Sequence, residues 1–177
     1  MIYFVRHGES EANERKVFAG QRDDSLLTSN GREQAKATAQ EIIKEGLKID
    51  VIYSSPLKRA YETAEIIAKE IGFDVSKIII EKRITEYDMG SLTGTPWHTI
   101  SSSILVEAEN AEDPKMFSNR VYTCISELSK STKNILLSSH AGVGRVLETF
   151  KKSIDAKLFY DLPAYKNASI TKIDWIK

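Results

Sequence analysis

Ile2-Tyr3-Phe4-Val5-Arg6-His7-Gly8-Glu9-Ser10 opens the chain with a short apolar run, a basic pair and a glycine. The run reads as a buried strand, and Gly8 lets the backbone turn tightly while His7 is held at the strand end. A second stretch repeats the arrangement far along the chain, where Ile135-Leu136-Leu137-Ser138-Ser139 runs into His140-Ala141-Gly142. Open α/β sheets bind ligands outside the carboxyl ends of their strands. Two strand-end histidines converging there would set two imidazoles around one small substrate group. Arg6, beside the first, makes that group a phosphate. The reading is a phosphoryl-transfer site.

Working outward, further strand-like runs fall at 51–54, 78–80 and 170–176, separated by segments of helical period. In 29–46, Ala35, Ala39, Ile42 and Ile43 share a face, with Thr28 placed to cap the N-terminus. In 56–71, Leu57, Ala60, Ala64, Ile67 and Ile71 form a stripe, with Ser55 as the expected N-cap, Pro56 in the first helical position and Gly72 past the end. Phe117, Val121, Ile125 and Leu128 repeat the pattern in 115–130, and a last helix over 143–151 buries Val146, Leu147 and Phe150. Strands alternating with helices predict an α/β three-layer sandwich, with a mostly parallel central sheet and helices on both faces. The final run, Ile170 to Ile176, is an additional strand of open direction.

One segment breaks this rhythm. Residues 87–114 hold Gly90, Gly94 and Pro96, then Ile100, Ile104 and Ala108 at four-residue spacing, then an acidic stretch ending at Pro114. It reads as an excursion or lid carrying a short amphipathic helix near the first histidine. Without a repeat, a low-complexity tract or a Pro/Gly/Ser-rich linker, residues 1–177 read as one domain.

With 177 residues the chain can bury a core without staples, and its 41% apolar and 28% charged residues are ordinary for a globular protein. The formal net charge is zero, with basic residues spread among equal numbers of acids, which argues against nucleic acid as a partner. A lone cysteine, Cys124, cannot form an internal disulfide and falls on the apolar side of a helix, where a buried structural thiol is expected. No window approaches the ~18 apolar residues of a membrane span, and no basic leader precedes a long apolar stretch. The chain reads as soluble and cytoplasmic, with no membrane partner.

Two more motifs complete the chemistry. Ser54-Ser55-Pro56-Leu57-Lys58-Arg59 places Arg59 in the first turn of a helix that follows a strand, where the helix N-terminus favours an anion. Glu86, in Ile84-Thr85-Glu86-Tyr87-Asp88-Met89-Gly90, lies just past the strand at 78–80.

Together these fragments resemble the histidine phosphatase superfamily, the phosphoglycerate mutase-like family, over almost the whole chain. Arg6-His7-Gly8-Glu9 matches its signature, Pro56-Leu57-Lys58-Arg59-Ala60 with Thr63-Ala64 its second element, Glu86 with Gly90 and Gly94 its acid-bearing loop, and Ser139-His140 its second histidine. Weaker agreements are Asn13, Leu27-Thr28 with Gly31 and Gln34-Ala35, and Asn167-Ala168-Ser169. Two departures stand out. Ala141 replaces the first of two glycines often found after the second histidine, and Leu92-Thr93 stands where a tryptophan–glutamate pair is often found.

The resemblance implies that His7 is the nucleophile, forming a phosphohistidine, and that Arg6, Arg59 and His140 surround the transferring phosphoryl. Glu86 would protonate the leaving oxygen and then accept a proton from the attacking water. The same groups follow from the side chains, since fixed cations and donors stabilise charge spread over three equatorial oxygens. Asn13 and Gln21, in the loop 8–25, are implied substrate or phosphate contacts, although ordinary loop polarity accounts for Gln21 nearly as well. Trp97 and His98 either touch substrate or pack the lid. No metal or cofactor is required.

A phosphohistidine can pass its phosphoryl to water or to a retained hydroxyl. Residues 91–114 contain no Lys or Arg but do contain Glu107, Glu109, Glu112 and Asp113, which disfavours a mutase holding small polyanions. The expected function is a metal-independent phosphomonoester phosphatase acting on a small phosphorylated metabolite, with an uncharged or partly apolar leaving group suggested by Trp97, Ile100, Ile104 and Leu105. Phosphoglycerate mutase-type transfer, a protein phosphohistidine phosphatase and, in a non-enzyme class, a dead phosphate-binding module remain the alternatives. A homodimer is left open.

Overall fold

Alternate residues of the central strands face two separate cores, and this period of two fixes the layers. A computed structural model describes residues 1–174. Along the chain run β1 (Ile2–Arg6), α1 (Glu11–Glu14), α2 (Ser29–Lys44), β2 (Val51–Ser54), α3 (Lys58–Glu70), β3 (Ile79–Ile80), α4 (Ser102–Val106), α5 (Pro114–Ser129), β4 (Ile135–Ser139), α6 (Ala141–Lys152) and β5 (Ile170–Ile173). On one face Val5, Ile52 and Leu136 meet Ala39 and Ile42 of α2 and Ala64 and Ile67 of α3. On the other, Phe4 and Leu137 meet Phe117 and Val121 of α5 and Val143 and Val146 of α6. Each fully buried aliphatic or aromatic side chain contributes about 1.5–3 kcal/mol relative to exposure. A shift of one residue in any strand would exchange the two cores.

The sheet has the order β3-β2-β4-β1-β5. The first four strands are parallel, and β5 closes the edge antiparallel to β1, with Ile2 opposite Ile173. This three-layer α/β arrangement is the expected one. Trp175 and Ile176, included in the expected last strand, lie outside the described residues. The strand expected at 78–80 is two residues long, with Ile79 and Ile80 both half-exposed. Among the described residues no helix is long and apolar enough to cross a membrane.

Helix ends follow local chemistry. Thr28 caps α2 by accepting from Gly31 N–H, as expected. In α3, however, the N-cap is Leu57, without a side-chain cap. Ser55 and Pro56 lie before the helix because the Ser55 hydroxyl is engaged by His140. The lone thiol, Cys124, is fully buried, and burial pushes it up to about 12.

The segment 87–114 is held at both ends. Ser91 N–H donates to Glu109 O at 2.8 Å, and Glu112 N–H to Asp88 O at 3.0 Å. Gly90 adopts φ +55°, and a β-carbon there would collide with the 109–111 backbone. Its expected amphipathic helix is α4, only five residues long. Residues 16–18 pair with 94–97, where Phe18 N–H donates to Thr95 O and Gly94 N–H to Phe18 O. That pairing carries Phe18 and Trp97 to the carboxyl edge of the sheet.

Candidate active site

Strand register brings the site together. Arg6 lies opposite Ser139 in the β1–β4 ladder, and Ser54 lies opposite Ser138 in the β2–β4 ladder. The ladders continue one step beyond the strands, as His7 N–H donates to Ser139 O at 2.8 Å and Ser55 N–H to Ser138 O at 3.0 Å. Ser55, His140 and His7 therefore stand side by side at one edge. The two imidazole centroids are 5.3 Å apart.

His7 is almost fully buried, and its Nδ1 lies 2.7 Å from Gly8 O. A carbonyl accepts only, so Nδ1 carries the proton and Nε2 keeps its lone pair. Burial first, then the charges of Arg59 and Arg6, hold His7 well below the usual imidazole value. It is therefore neutral near pH 7. Gly8 is required by close approach, because a β-carbon there would meet the Gly31 carbonyl.

His140 is wholly buried and forms no part of the cavity wall; it packs behind His7. Its Nε2 lies 2.7 Å from the Ser55 hydroxyl, which also accepts from Leu57 N–H. Its Nδ1 is buried with no hydrogen-bond partner among the described residues. Burial, followed by Arg59 and His7, keeps this ring neutral as well.

A cavity of about 420 Å³ opens at this edge, lined in part by Arg6, His7, Asn13, Arg59, Glu86 and Arg145. Arg6 donates to Tyr165 O at 2.7 Å, and its Nε is buried without a partner among the described residues. Burial pushes Arg6 down to about 10, although Glu86 opposes the fall, so the group remains cationic near neutrality. Arg59 is 1% exposed and anchored on Gly20 O and Asp23 O, at 2.7 and 3.0 Å. Burial lowers it too. Glu86 accepts from Tyr87 N–H and from Gly142 N–H, which fixes its carboxylate between the excursion and α6.

Asn13 lines the cavity, where its Oδ1 accepts from Asn167 Nδ2 at 3.1 Å; the same Asn167 amide reaches His7 O at 3.0 Å. Gln21, expected as a contact, is placed outside the cavity wall, and its amide donates to Glu86 O at 2.8 Å. Trp97 lines the cavity, whereas the exposed His98 does not. Ala141 takes a wall position with its methyl group. Gly142 cannot, because a β-carbon there would overlap the Glu86 carboxylate.

Three groups went unrecognised in the sequence. Arg145 of α6 lines the cavity with its guanidinium 4.3 Å from the centre of the Tyr160 ring, and Tyr160 is itself a wall residue. The only local sign was one cation within the apolar run Val143–Leu147. Arg120 of α5 donates to Arg83 O, Thr85 O and Glu86 O while pairing with Glu112. Nothing in its spacing pointed to Glu86.

Known proteins are similar to this chain in sequence and in fold. A model of the histidine phosphatase superfamily (branch 1) matches residues 2–177. The chain is 30% identical to "Putative phosphoserine phosphatase 2" of Hydrogenobacter thermophilus, over 97% of this chain and 88% of that one. It is 42% identical to a 2,3-bisphosphoglycerate-dependent phosphoglycerate mutase of Parvibaculum lavamentivorans, but over only 53% of this chain and 44% of that one. A mycobacterial glucosyl-3-phosphoglycerate phosphatase superposes with a TM-score of 0.78 at 23% identity, covering 96% of this chain and 90% of that one, a likeness of fold.

Proposed function

The chain belongs to the histidine phosphatase superfamily, and on that footing we propose that it is a phosphomonoester phosphatase working through a phosphohistidine on His7. The observation that carries this reading is the His7 Nδ1–Gly8 O contact of 2.7 Å. It leaves Nε2 as a neutral, basic nitrogen in a cavity that also holds the guanidiniums of Arg6 and Arg59 and a carboxyl group. That set is what in-line phosphoryl transfer to nitrogen needs.

In the first step Nε2 attacks phosphorus, the ester P–O bond breaks, and Glu86 gives its proton to the departing oxygen. In the second, water attacks the phosphohistidine, Glu86 takes its proton, and the P–N bond breaks to release phosphate. Arg6 and Arg59 neutralise the equatorial oxygens. Although His140 is off the cavity wall, a Ser55 hydroxyl that donates to Nε2 leaves the His140 proton on Nδ1. That buried donor has no acceptor among the described residues, and a phosphoryl oxygen would satisfy it. Asn13 and Asn167 would orient the His7 segment and border the phosphate.

Hydrolysis is favoured over mutase-type transfer because the excursion at 87–114 brings Trp97 and Met89, and no Lys or Arg from 91–114, to the cavity. One relative similar along most of its length is named for phosphoserine hydrolysis, and another, from Thermoplasma acidophilum, for phosphoglycerate mutase. A small phosphorylated metabolite fits the cavity volume.

The experiment is acid–base quenching after exposure to a radiolabelled phosphomonoester, with mapping of the labelled peptide. An acid-labile, base-stable adduct on His7, absent in His7→Ala, is expected. Turnover of p-nitrophenyl phosphate without any such adduct, or no turnover between about pH 5 and 8, would remove the reading.

A further inference from the structure

We infer that Tyr165, held by Glu148 of α6, is a positioning residue that aims the Arg6 guanidinium at the transferring phosphoryl group, a role that rests on the phosphatase reading. Neither Tyr165 nor Glu148 lines the cavity, so both act on the phosphate site from behind its wall. Arg6 needs such support. Among the described residues its side chain has one hydrogen-bond partner, the Tyr165 carbonyl at 2.7 Å, and its Nε is buried with none. Arg145 and Arg59 lie close enough to repel it, so an unanchored Arg6 would be pushed out of place. A carbonyl on one Nη fixes the plane of the guanidinium and leaves its other N–H groups for phosphoryl oxygens.

No helix or strand holds that carbonyl. Residues 163–166 have no regular secondary structure, so Tyr165 O stays where the Tyr165 side chain docks. The ring packs against Phe4 of β1, with centroids 5.6 Å apart, and lies over Gly144 of α6, where a β-carbon would overlap it. Its hydroxyl donates to Glu148 Oε1, and Lys152 pairs with the other carboxylate oxygen at 3.4 Å. Burial, then Glu148, push the phenol up, so it stays protonated and remains the donor. Just downstream, Ala168 gives its N–H to Arg6 O and His7 O at 2.9 and 3.2 Å, and its own carbonyl accepts from the Thr38 hydroxyl. Ala168 adopts φ +53°, a left-handed backbone that persists in an L-residue only where the surroundings impose it. The segment is thus gripped by Thr38 on one side and by Glu148 on the other. Through Glu148, α6 supports Arg6; through Gly142, the same helix holds the acid Glu86. Cation and acid therefore share one rigid reference.

The test is Tyr165→Phe, which removes the hydroxyl and keeps the ring. A misplaced guanidinium costs most in the transition state, where charge spreads over the equatorial oxygens, and less with ground-state phosphate. With p-nitrophenyl phosphate, kcat is expected to fall about 10- to 100-fold, the cost of a small misplacement, with KM unchanged within about 3-fold. Calorimetry with orthovanadate, which mimics the in-line transition state, should show the same loss, and with inorganic phosphate no more than about 3-fold. Glu148→Gln keeps an oxygen acceptor for the phenol and should retain most of the activity, whereas Glu148→Ala should behave as Tyr165→Phe does. Arg6→Lys combined with Tyr165→Phe should be no worse than Arg6→Lys alone, within about 3-fold, because no planar fork is left to aim. Unchanged kcat and vanadate affinity in Tyr165→Phe overturn the positioning role. Losses that multiply in the double variant, or equal losses for vanadate and phosphate, do so too. If Tyr165→Phe does not fold, Glu148→Ala carries the same expectations and the same refuting outcomes. Weakened vanadate binding in the variant, with no ester turned over by the unaltered protein, would sink the phosphatase reading and spare the positioning role. Turnover through a phosphohistidine that Tyr165→Phe leaves untouched would do the reverse.

Discussion

Gly142 gives its backbone N–H to both carboxylate oxygens of Glu86, at 3.1 and 3.2 Å, from the first turn of the helix that follows His140. The acid and the second histidine are thereby tied, though 54 positions separate them in the chain. The Glu86 carboxylate can hold this place on the cavity wall only because position 142 has no side chain.

Gly142→Ala would drive its methyl into the Glu86 carboxylate, displacing the acid. The expected result is a loss of about 10²- to 10⁴-fold in kcat for alkyl phosphates, the usual worth of a general acid. p-Nitrophenyl phosphate, whose leaving group needs little protonation, should lose far less. Equal losses on both substrates would show that Glu86 does not serve as the acid.

His7 and His140 are buried and neutral, and both are held well below the usual imidazole value. For a base whose folded-state pKa lies below the unfolded one, the unfolded chain takes up the proton first. Stability is therefore unaffected above about pH 6.5 and falls as the solution is acidified below it, by up to about 1.4 kcal/mol per pH unit for each ring. Urea unfolding at a series of pH values reads this slope. His140→Gln should make it shallower by about one proton's worth. A stability flat from pH 7 to pH 5, within about 0.5 kcal/mol, would contradict neutral burial of both rings.

Ser55 sets the tautomer of His140 through the 2.7 Å contact at Nε2. In Ser55→Ala the ring loses that partner and its proton is free to move off Nδ1. A fall in kcat of up to about 100-fold is expected, approaching the loss of one oxyanion donor. Nitrogen NMR of the imidazole should show the altered protonation pattern. Full activity together with an altered pattern would mean that Nδ1 of His140 gives nothing to the phosphoryl group.

The layers, the mostly parallel sheet and the edge position of His7, His140 and Arg59 were legible in the sequence because period and strand ends are local signals, whereas the strand order β3-β2-β4-β1-β5 was not. Glu86 was legible by resemblance and by its place after a strand. Other features depend on three-dimensional proximity, which no spacing encodes. Ser55 looked like a helix cap because its neighbours Pro56 and Leu57 fit one; the partner that claims its hydroxyl lies 85 positions away. Gln21 was implied as a contact by resemblance, with ordinary loop polarity nearly as good a reading, and its amide donates to the Glu86 carbonyl. Arg145 was hidden inside an apolar helical run. Its significance comes from Tyr160, which the chain returns to the cavity only after α6 has ended.

Arg120 provides the last prediction, because its guanidinium holds the backbone that presents Glu86. It donates to the carbonyls of Arg83 and Thr85 at 2.7 Å and of Glu86 at 3.0 Å, and pairs with Glu112 at 2.7 Å. Gln21 also reaches the Glu86 carbonyl but not the other two, and Lys has too few fixed donors to replace Arg120. Arg120→Lys should therefore destabilise the fold by about 1.5–3 kcal/mol, the range for hydrogen bonds to a charged group. It should also steepen the dependence of kcat on leaving-group pKa, since a loosened Glu86 protonates poor leaving groups less well. Destabilisation with an unchanged leaving-group dependence would confine Arg120 to packing of the excursion. A steepened dependence would make it a positioning residue for the acid.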